Sequence, residues 1–443
     1  MYLTKELIHI QEKDFKRYQI FKKEKKLIDF WSKYSFYDFI IQEKERSQKG
    51  AFYTPEWIVR LMVKNSFSIL KKKGFHLENI KILEPSCGSG NFLQILIEEL
   101  QKETQKSYDS IVNNNIYCLD IDSKAIALSK ERIKTLFDVE LKNIFCEDAL
   151  FFHQGQFDLI IGNPPYGNIL SSNIKEKIHD KYHNIALNFL DHFFNLLNPN
   201  ALLYFIVPHS FSRAGQGSLL WRKKIIENQS LHEIIDVGNP FFDITLEQII
   251  IGLTKEKNEE VITNSIRYNQ IGNVVEYKEI FNNPEKIISI YYDTNYVNIK
   301  NKNLKYPFSG KRGKDFKKTD LNNFKESGNY WVILGKNITK DGVKNIKNYD
   351  KYSKNNQFLM KDQYVAITQF GSHLKASLIP KNTIPSGGIV IIQHEGLTQE
   401  EAIQYLNNPK INDYLKKYIL NGAKLTVHLD GKYLQQIPYN IFQ

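Results

Sequence analysis

From residue 80 to about residue 254 the chain repeats one unit: a short apolar run, a turn holding glycine or an acid, then a stretch with helical periodicity. NIKILEPSCGSGNFLQILIEELQK reads as strand, glycine turn and helix, and NIYCLDIDSKAIALSKERIKTLF repeats it with an acidic turn. NIFCEDALFF and FDLIIGNPPYG add a third and a fourth strand, and FLDHFFNLLNPNALLYFIVPHSF a helix, a turn and a fifth. LHEIIDVG and QIIIGLTK supply two more. Short apolar strands alternating with amphipathic helices predict an α/β fold built on a doubly wound, Rossmann-like sheet. Such sheets take ligands at the carboxyl ends of their strands, where the unusual residues of this region fall.

Outside this stretch the texture differs. Residues 1–48 read as an N-terminal helical extension with apolar positions at mixed three- and four-residue spacing. Beyond about residue 260 the strand–helix rhythm gives way to short strands between Asn, Gly and Lys turns, which predicts a separate mixed α+β domain over 261–443 and leaves 49–260 as the first domain. The 443 residues allow two or three domains, and 42% apolar with 13% aromatic content excludes a disordered chain. There is no run of 18 apolar residues, so no membrane-spanning helix is expected. The N-terminal stretch is charged throughout and lacks the apolar core of a signal peptide. Cys87, Cys118 and Cys146 offer neither a disulfide framework nor metal-ligand spacing, so a reducing cytoplasm and no metal are expected. The net charge is +11, and residues 301–443 account for all of it with 22 Lys and Arg against 11 Asp and Glu. A concentrated positive excess is what a phosphate backbone attracts; a solvated lysine-rich face is the plainer reading.

Strand ends define a nucleotide-like pocket. The first ends in Glu84-Pro85-Ser86-Cys87-Gly88-Ser89-Gly90, whose small residues let a ligand approach the backbone closely. This differs from the GxGxxG fingerprint, and a glycine turn alone is a weak signal. The second ends with Asp120 and Asp122, where a carboxylate can accept both hydroxyls of a ribose. The third ends with Asp148 and Ala149, with Asp148 placed to accept from an adenine amino group and Phe151 or Phe152 as apolar cover. Each acid alone also suits a helix cap.

Asn163-Pro164-Pro165-Tyr166 follows the fourth strand directly. Two prolines remove two backbone donors and stiffen the turn, leaving outward carbonyls beside a side-chain amide and an aromatic ring. That set suits a planar group bearing an NH2. The Asn163 side-chain oxygen and the Pro164 carbonyl each accept one N–H, while Tyr166 stacks on the ring. Drawing on both hydrogens takes the amine lone pair out of conjugation and toward attack.

Together these residues resemble the S-adenosylmethionine-dependent amino-group DNA methyltransferases, specifically the TaqI-type (gamma-order) adenine-N6 family. GAFYTP at 50–55 looks like that family's upstream cofactor segment, with Thr54 the matching residue. EPSCGSGNF matches its methionine-moiety loop (Glu84, Pro85, Cys87, Gly88, Gly90), LDID its ribose loop (Asp120, in place of the usual Glu), and EDA its adenine loop (Asp148, Ala149). Phe189 falls where the family sets an aromatic against the cofactor adenine, and the resemblance also counts Asn163 among the cofactor-binding residues. Phe241, with Phe242 as alternative, aligns with the phenylalanine that holds a flipped base. ILGKNITKDGVKN and the tail from residue 405 resemble segments of its recognition domain.

The resemblance implies methyl transfer from S-adenosylmethionine to N6 of an adenine flipped out of double-stranded DNA, as the modification part of a restriction–modification system. It implies a monomer with no obligate protein partner, any companion endonuclease being encoded separately. Lys311, Arg312, Lys314, Lys317 and Lys318 are the phosphate-contact candidates, although the run also suits a solvated loop. The rivals are enzymes of the same fold that methylate RNA or a protein glutamine amide, and a catalytically idle nucleic-acid-binding module.

Overall fold

The computed structural model describes residues 54–167, 184–213, 216–240, 246–283, 286–302, 304–313, 330–344, 347–349, 359–368, 374–422 and 431–441. The expected extension over 1–48, residues 50–53 of the upstream segment, Phe241 with Phe242, and Lys314, Lys317 and Lys318 lie outside them.

The chain packs as two compact units divided after Ile290. The first is built on a nine-stranded sheet of order β3-β2-β1-β4-β5-β7-β6-β8-β9. Its strands are β1 Ile82–Glu84, β2 Ile116–Asp120, β3 Ile144–Cys146, β4 Phe157–Gly162, β5 Leu197–Pro208, β6 Leu231–Gly238, β7 Gln248–Thr254, β8 Glu260–Ser265 and β9 Gln270–Glu276. β3 through β5 run parallel, as the repeat predicts. β7 is antiparallel to both β5 and β6, which it separates. The central strands are continuous apolar runs because both faces are covered: all seven residues of β7 are buried.

The helices follow from local chemistry. α1, Glu56–Lys72, starts behind Pro55 with Glu56 in its first turn and Lys71 and Lys72 in its last, matching the helix dipole. α2, Asn91–Thr104, springs from Gly90 in a left-handed conformation, φ +82°. α3, Tyr108–Asn114, is capped by Ser107. α4, Ser123–Phe137, is capped by Asp122, whose side chain accepts the Lys124 N–H at 2.9 Å. α5, Ile185–Asn195, is capped by Asn184, and α6, Gln216–Asn228, precedes β6.

Residues 261–290, which composition assigns to the second domain, extend the first unit. β8 pairs in parallel with β6, and β9 closes the edge antiparallel to β8. Only β9 lies at the edge and is mostly exposed or half-buried; β8 is largely buried although its Thr263, Asn264 and Ser265 are polar.

A buried polar cluster ties α1 to this half of the sheet. Glu233 on β6 accepts from the Tyr204 hydroxyl at 2.5 Å, from Asn65 Nδ2 at 2.5 Å and from Asn264 Nδ2 at 2.8 Å. Burial nevertheless pushes its carboxyl up to about 7 against those donors.

The second unit holds a four-stranded antiparallel sheet of order β10-β18-β15-β16, formed by Phe308–Arg312, Ile389–His394, Tyr364–Thr368 and Ala376–Ile379. A smaller sheet orders β14-β11-β17, Lys347–Tyr349, Tyr330–Ile333 and Thr383–Pro385, and β12 Ile338–Thr339 pairs with β13 Gly342–Val343. Ile333, Ile338, Ala366, Ile379, Ile389 and Ile391 form an apolar centre. Helices α7 Thr294–Asn301, α8 Gln399–Asn407, α9 Pro409–Tyr414 and α10 Gly431–Leu434 also belong to it. Among the described residues no helix is long and apolar enough to cross a membrane.

Candidate active site

Strand order reverses at β1, with β2 on one side and β4 on the other. This is the switch point where an open α/β sheet leaves a crevice beyond its strand ends. The glycine turn leaves β1 and the Asn163 corner leaves β4, so both border that crevice. They touch: the Ser86 hydroxyl donates to the Asn163 carbonyl at 3.0 Å. A Cβ on Gly162 would sit 3.7 Å from Pro85 and 3.6 Å from Glu84.

The glycine turn is held from beneath. Asp120 accepts the Gly88 N–H at 2.8 Å with one oxygen and the Asp122 N–H at 2.9 Å with the other. Burial pushes its carboxyl up against these donors. Each bonded oxygen retains a lone pair, so Asp120 can still accept a hydroxyl. The Ser129 hydroxyl donates to the Gly88 carbonyl at 2.8 Å, and Arg132 reaches the Ser89 carbonyl at 3.4 Å. Sequence reading missed both; their i, i+3 spacing on one face of α4 was the available signal. Gly88, at φ +52°, has nothing among the described residues within 4 Å of where a Cβ would stand, whereas at Gly90 that position is 3.1 Å from Ser129 Oγ. Gly90→Ala should therefore lower stability by about 1–2 kcal/mol through the left-handed backbone alone, read as a fall in the urea midpoint.

Glu84 is buried, and its Oε2 has no hydrogen-bond partner among the described residues. Burial, reinforced by Asp120, pushes its carboxyl well above the usual range. An orphaned acid of this kind calls for a donor from a ligand. Cys87 is buried, and the Cys118 thiol together with burial pushes its own thiol up, which makes it packing rather than a nucleophile. Asp148 caps the short turn after β3, accepting the Leu150 N–H at 3.0 Å, with Ala149 buried behind it. Asp122 serves as the α4 cap.

Apolar cover is divided between two exposed side chains. Phe152 is buried against Phe145 and Phe157, leaving Phe151 exposed. Ile121, between the two acids, is 71% exposed, an unusual state for isoleucine at a strand end. It was legible only as the apolar residue inside LDID. Phe189 lies buried on α5, its ring 5.4 Å from Phe193.

Thr54 draws these parts together. Its carbonyl accepts from Asn91 Nδ2 at 2.8 Å, and its hydroxyl accepts from Asn163 Nδ2 at 3.0 Å. With its NH2 committed to Thr54, the Asn163 amide keeps its oxygen as the accepting end. Pro164 is buried, Pro165 half-buried and Tyr166 buried, with the Tyr166 hydroxyl donating to the Ile206 carbonyl at 3.2 Å. Burial pushes that phenol well up, so it stays protonated as a donor. Tyr166→Phe should cost about 1 kcal/mol, whereas Tyr166→Ala should cost about 3–5 kcal/mol through the emptied core position. Thermal unfolding of the two variants separates them. Phe is thus the substitution that leaves the corner in place.

In the second unit Lys311 and Arg312 are exposed on β10, an edge strand. Arg312 Nε donates to the Gly387 carbonyl at 2.9 Å.

Residues 60–242 match the family model of the Eco57I restriction-modification methylase. The type II methyltransferase M.VspI of Vibrio sp. (strain 343) is 28% identical over 213 residues, 46% of this chain and 48% of that one. The methylase subunit of the type I restriction enzyme MjaIX of Methanocaldococcus jannaschii is 26% identical over 255 residues, 54% of this chain and 43% of that one. The chain thus spans about half the length of the curated relatives it matches. Among solved structures, the type IIL restriction-modification enzyme MmeI in complex with DNA shares the fold over 89% of this chain and 68% of that one, at 15% identity and a TM-score of 0.57. These findings agree with the resemblance read from the glycine turn and the Asn163 corner.

Proposed function

We propose, from a methylase segment of the restriction–modification kind over residues 60–242, that this chain transfers a methyl group from S-adenosylmethionine to N6 of an adenine flipped out of duplex DNA. The observation that carries the reading is the meeting of Thr54, the glycine turn and Asn163 at the switch point.

The residues present fit the cofactor. Glu84 Oε2, buried and unpartnered among the described residues, suits its ammonium group. The space beside Gly88 admits a close approach, and Asp120 retains lone pairs for ribose hydroxyls. Asp148 suits the adenine amine, with Ile121 and Phe151 as exposed apolar cover and Phe189 packed on α5. When bound, S-adenosylmethionine supplies an electrophilic methyl carbon.

The chain's own residues do the rest. Extruding a base costs a few kcal/mol; Tyr166 and Phe241 offset part of it by stacking, about 1–3 kcal/mol per aromatic contact. The Asn163 side-chain oxygen and the Pro164 carbonyl accept the two hydrogens of the exocyclic amine, fixing its lone pair in line for displacement, and Pro165 keeps the corner stiff. Proximity supplies much of the rate. The amine proton becomes acidic only after attack, so no strong base is required. The second unit, with its surplus of lysine, tracks phosphates and reads bases in the groove, Lys311 and Arg312 among its contacts.

Matches to restriction–modification methylases favour DNA over RNA or a protein amide. Sequencing the DNA of an expressing host with modification detection tests this. N6-methyladenine in a fixed short motif is expected; unmodified host DNA overturns the reading.

A further inference from the structure

The carboxyl ends of β4, β5, β6 and β8 and the start of β7 share one edge of the first unit's sheet, because β7 is antiparallel to β5 and β6 while β8 runs with β6. This is the edge of the Asn163 corner, and Tyr166 is bonded there to the Ile206 carbonyl of β5. Along the same edge runs a belt of charged side chains that the proposed chemistry does not use.

Arg267, just past β8, reaches across β6 to β7. Its Nη2 donates to Asp236 Oδ1 at 3.3 Å and its Nη1 to Glu247 Oε1 at 2.8 Å. The guanidinium lies over Gly238, where a Cβ would stand 3.6 Å from Arg267 Nε. Gly238 is left-handed, at φ +71°, and its N–H donates to the same Asp236 oxygen at 2.9 Å. From the β5 side, Arg213 Nη2 donates to Glu247 Oε2 at 2.5 Å, and the His209 N–H donates to the Glu247 carbonyl at 2.8 Å. The ends of four neighbouring strands are tied together in this way.

The belt is largely out of water. Asp236 is fully buried, and the side chains of Glu247 and Arg267 are 8% and 10% exposed. Buried ion pairs are weak sources of stability, because desolvation offsets the attraction. What a planar guanidinium supplies is direction: two of its nitrogens reach two different acids in a fixed fork. Those acids stand at telling places. Asp236 and Gly238 mark where the chain leaves β6, and Glu247 marks where it returns as β7. One side chain therefore bridges both ends of the connection between these strands. Phe241, which the function proposed above uses for stacking, belongs to that connection in sequence.

We propose that Arg267 is a positioning residue for the extruded base: by bridging Asp236 and Glu247 it fixes the two points from which the base-stacking connection is hung beside the Asn163 corner. This role rests on the function proposed above.

The test uses the full chain with R267M, which removes the bridge, and R267K, which keeps the charge but has one nitrogen for two acids. Single-turnover methyl transfer is measured on two duplexes carrying the motif that the parent chain methylates, one with the target adenine paired and one with it mismatched. A mismatched base costs less to extrude, so a defect in holding the extruded base weighs less there. We expect both variants to slow transfer to the paired duplex by about 10–100-fold, the scale of an ångström-sized misplacement. The affinity for S-adenosylmethionine should stay unchanged, and the loss should shrink several-fold on the mismatched duplex. E247Q, of the same shape as the parent residue, gives the same comparison where R267M does not fold. An equal loss on both duplexes, a loss of cofactor affinity in step with the rate, parent-like rates in R267M, or full rescue by R267K overturns the proposal. A parent chain that methylates neither duplex is instead the failure of the proposed function, and the role of Arg267 falls with it.

Discussion

Asn163→Ala should slow methyl transfer to DNA by about 10²–10³-fold while leaving the affinity for S-adenosylmethionine within about threefold. The side chain contributes two things at once. Its NH2 is anchored on the Thr54 hydroxyl at 3.0 Å, and its oxygen is thereby presented as an acceptor for the target amine. Losing one such preorganised group lowers a turnover rate by about 10²–10³-fold. The described link to the glycine turn runs through the backbone: Ser86 bonds to the Asn163 carbonyl, a group that alanine retains. Single-turnover rates and calorimetry separate the effects. Equal losses of rate and cofactor affinity would mean that Asn163 belongs to the cofactor pocket. Thr54→Val should act in the same direction more weakly, because it frees the amide to rotate without removing it.

The second large effect concerns stability. Glu233→Ala removes the acceptor of three buried donors, Asn65, Tyr204 and Asn264. Stranding them should cost about 3–5 kcal/mol, the cost of breaking a buried polar network from one side. The same residue sets a pH dependence. Its carboxyl titrates near 4.5 in the unfolded chain and is pushed up to about 7 in the fold. Between those values the folded state holds a proton that the unfolded state has released. Stability therefore falls as pH rises from about 4.5 to about 7, by about 3 kcal/mol in all, and this contribution is constant on either side. Glu233→Gln should be less stable than the parent but lack that slope. Urea titrations of both chains at pH 4.5, 6 and 7.5 check it, and parallel pH profiles would show that Glu233 does not titrate in this window.

What was legible in the sequence follows from which contacts are local. β1, β2, β4 and β5 announce themselves as largely buried apolar runs, and β3 by the acidic turn that follows it. The roles of Gly90 and Asp122 are also local: one needs a left-handed backbone, the other caps the next helix. β7 reads as a strand, but its antiparallel insertion between β5 and β6 is a pairing choice that no periodicity encodes. The same holds for β8 and β9, whose polar residues resemble the second unit although the strands pair with the first. At the site, the acids and the Asn163 corner stood out as residue types in sequence, whereas the Thr54–Asn163 bond spans 109 residues and appears only once the sheet is assembled. Ile121 was overlooked because an apolar residue next to a strand suggests burial, and its exposure depends on the crevice.

The central claim is that the corner at 163–166 presents an exocyclic amine of a nucleobase to a methyl donor held over the glycine turn. Its most direct test is to incubate the purified full chain with methyl-labelled S-adenosylmethionine and unmodified plasmid DNA, digest to nucleosides and identify the labelled base. The account predicts label in N6-methyladenine, formed about 10²–10³-fold more slowly by the Asn163→Ala chain. Label in 5-methylcytosine, formed at carbon rather than at an amine, or unlabelled DNA with cofactor bound, would contradict it.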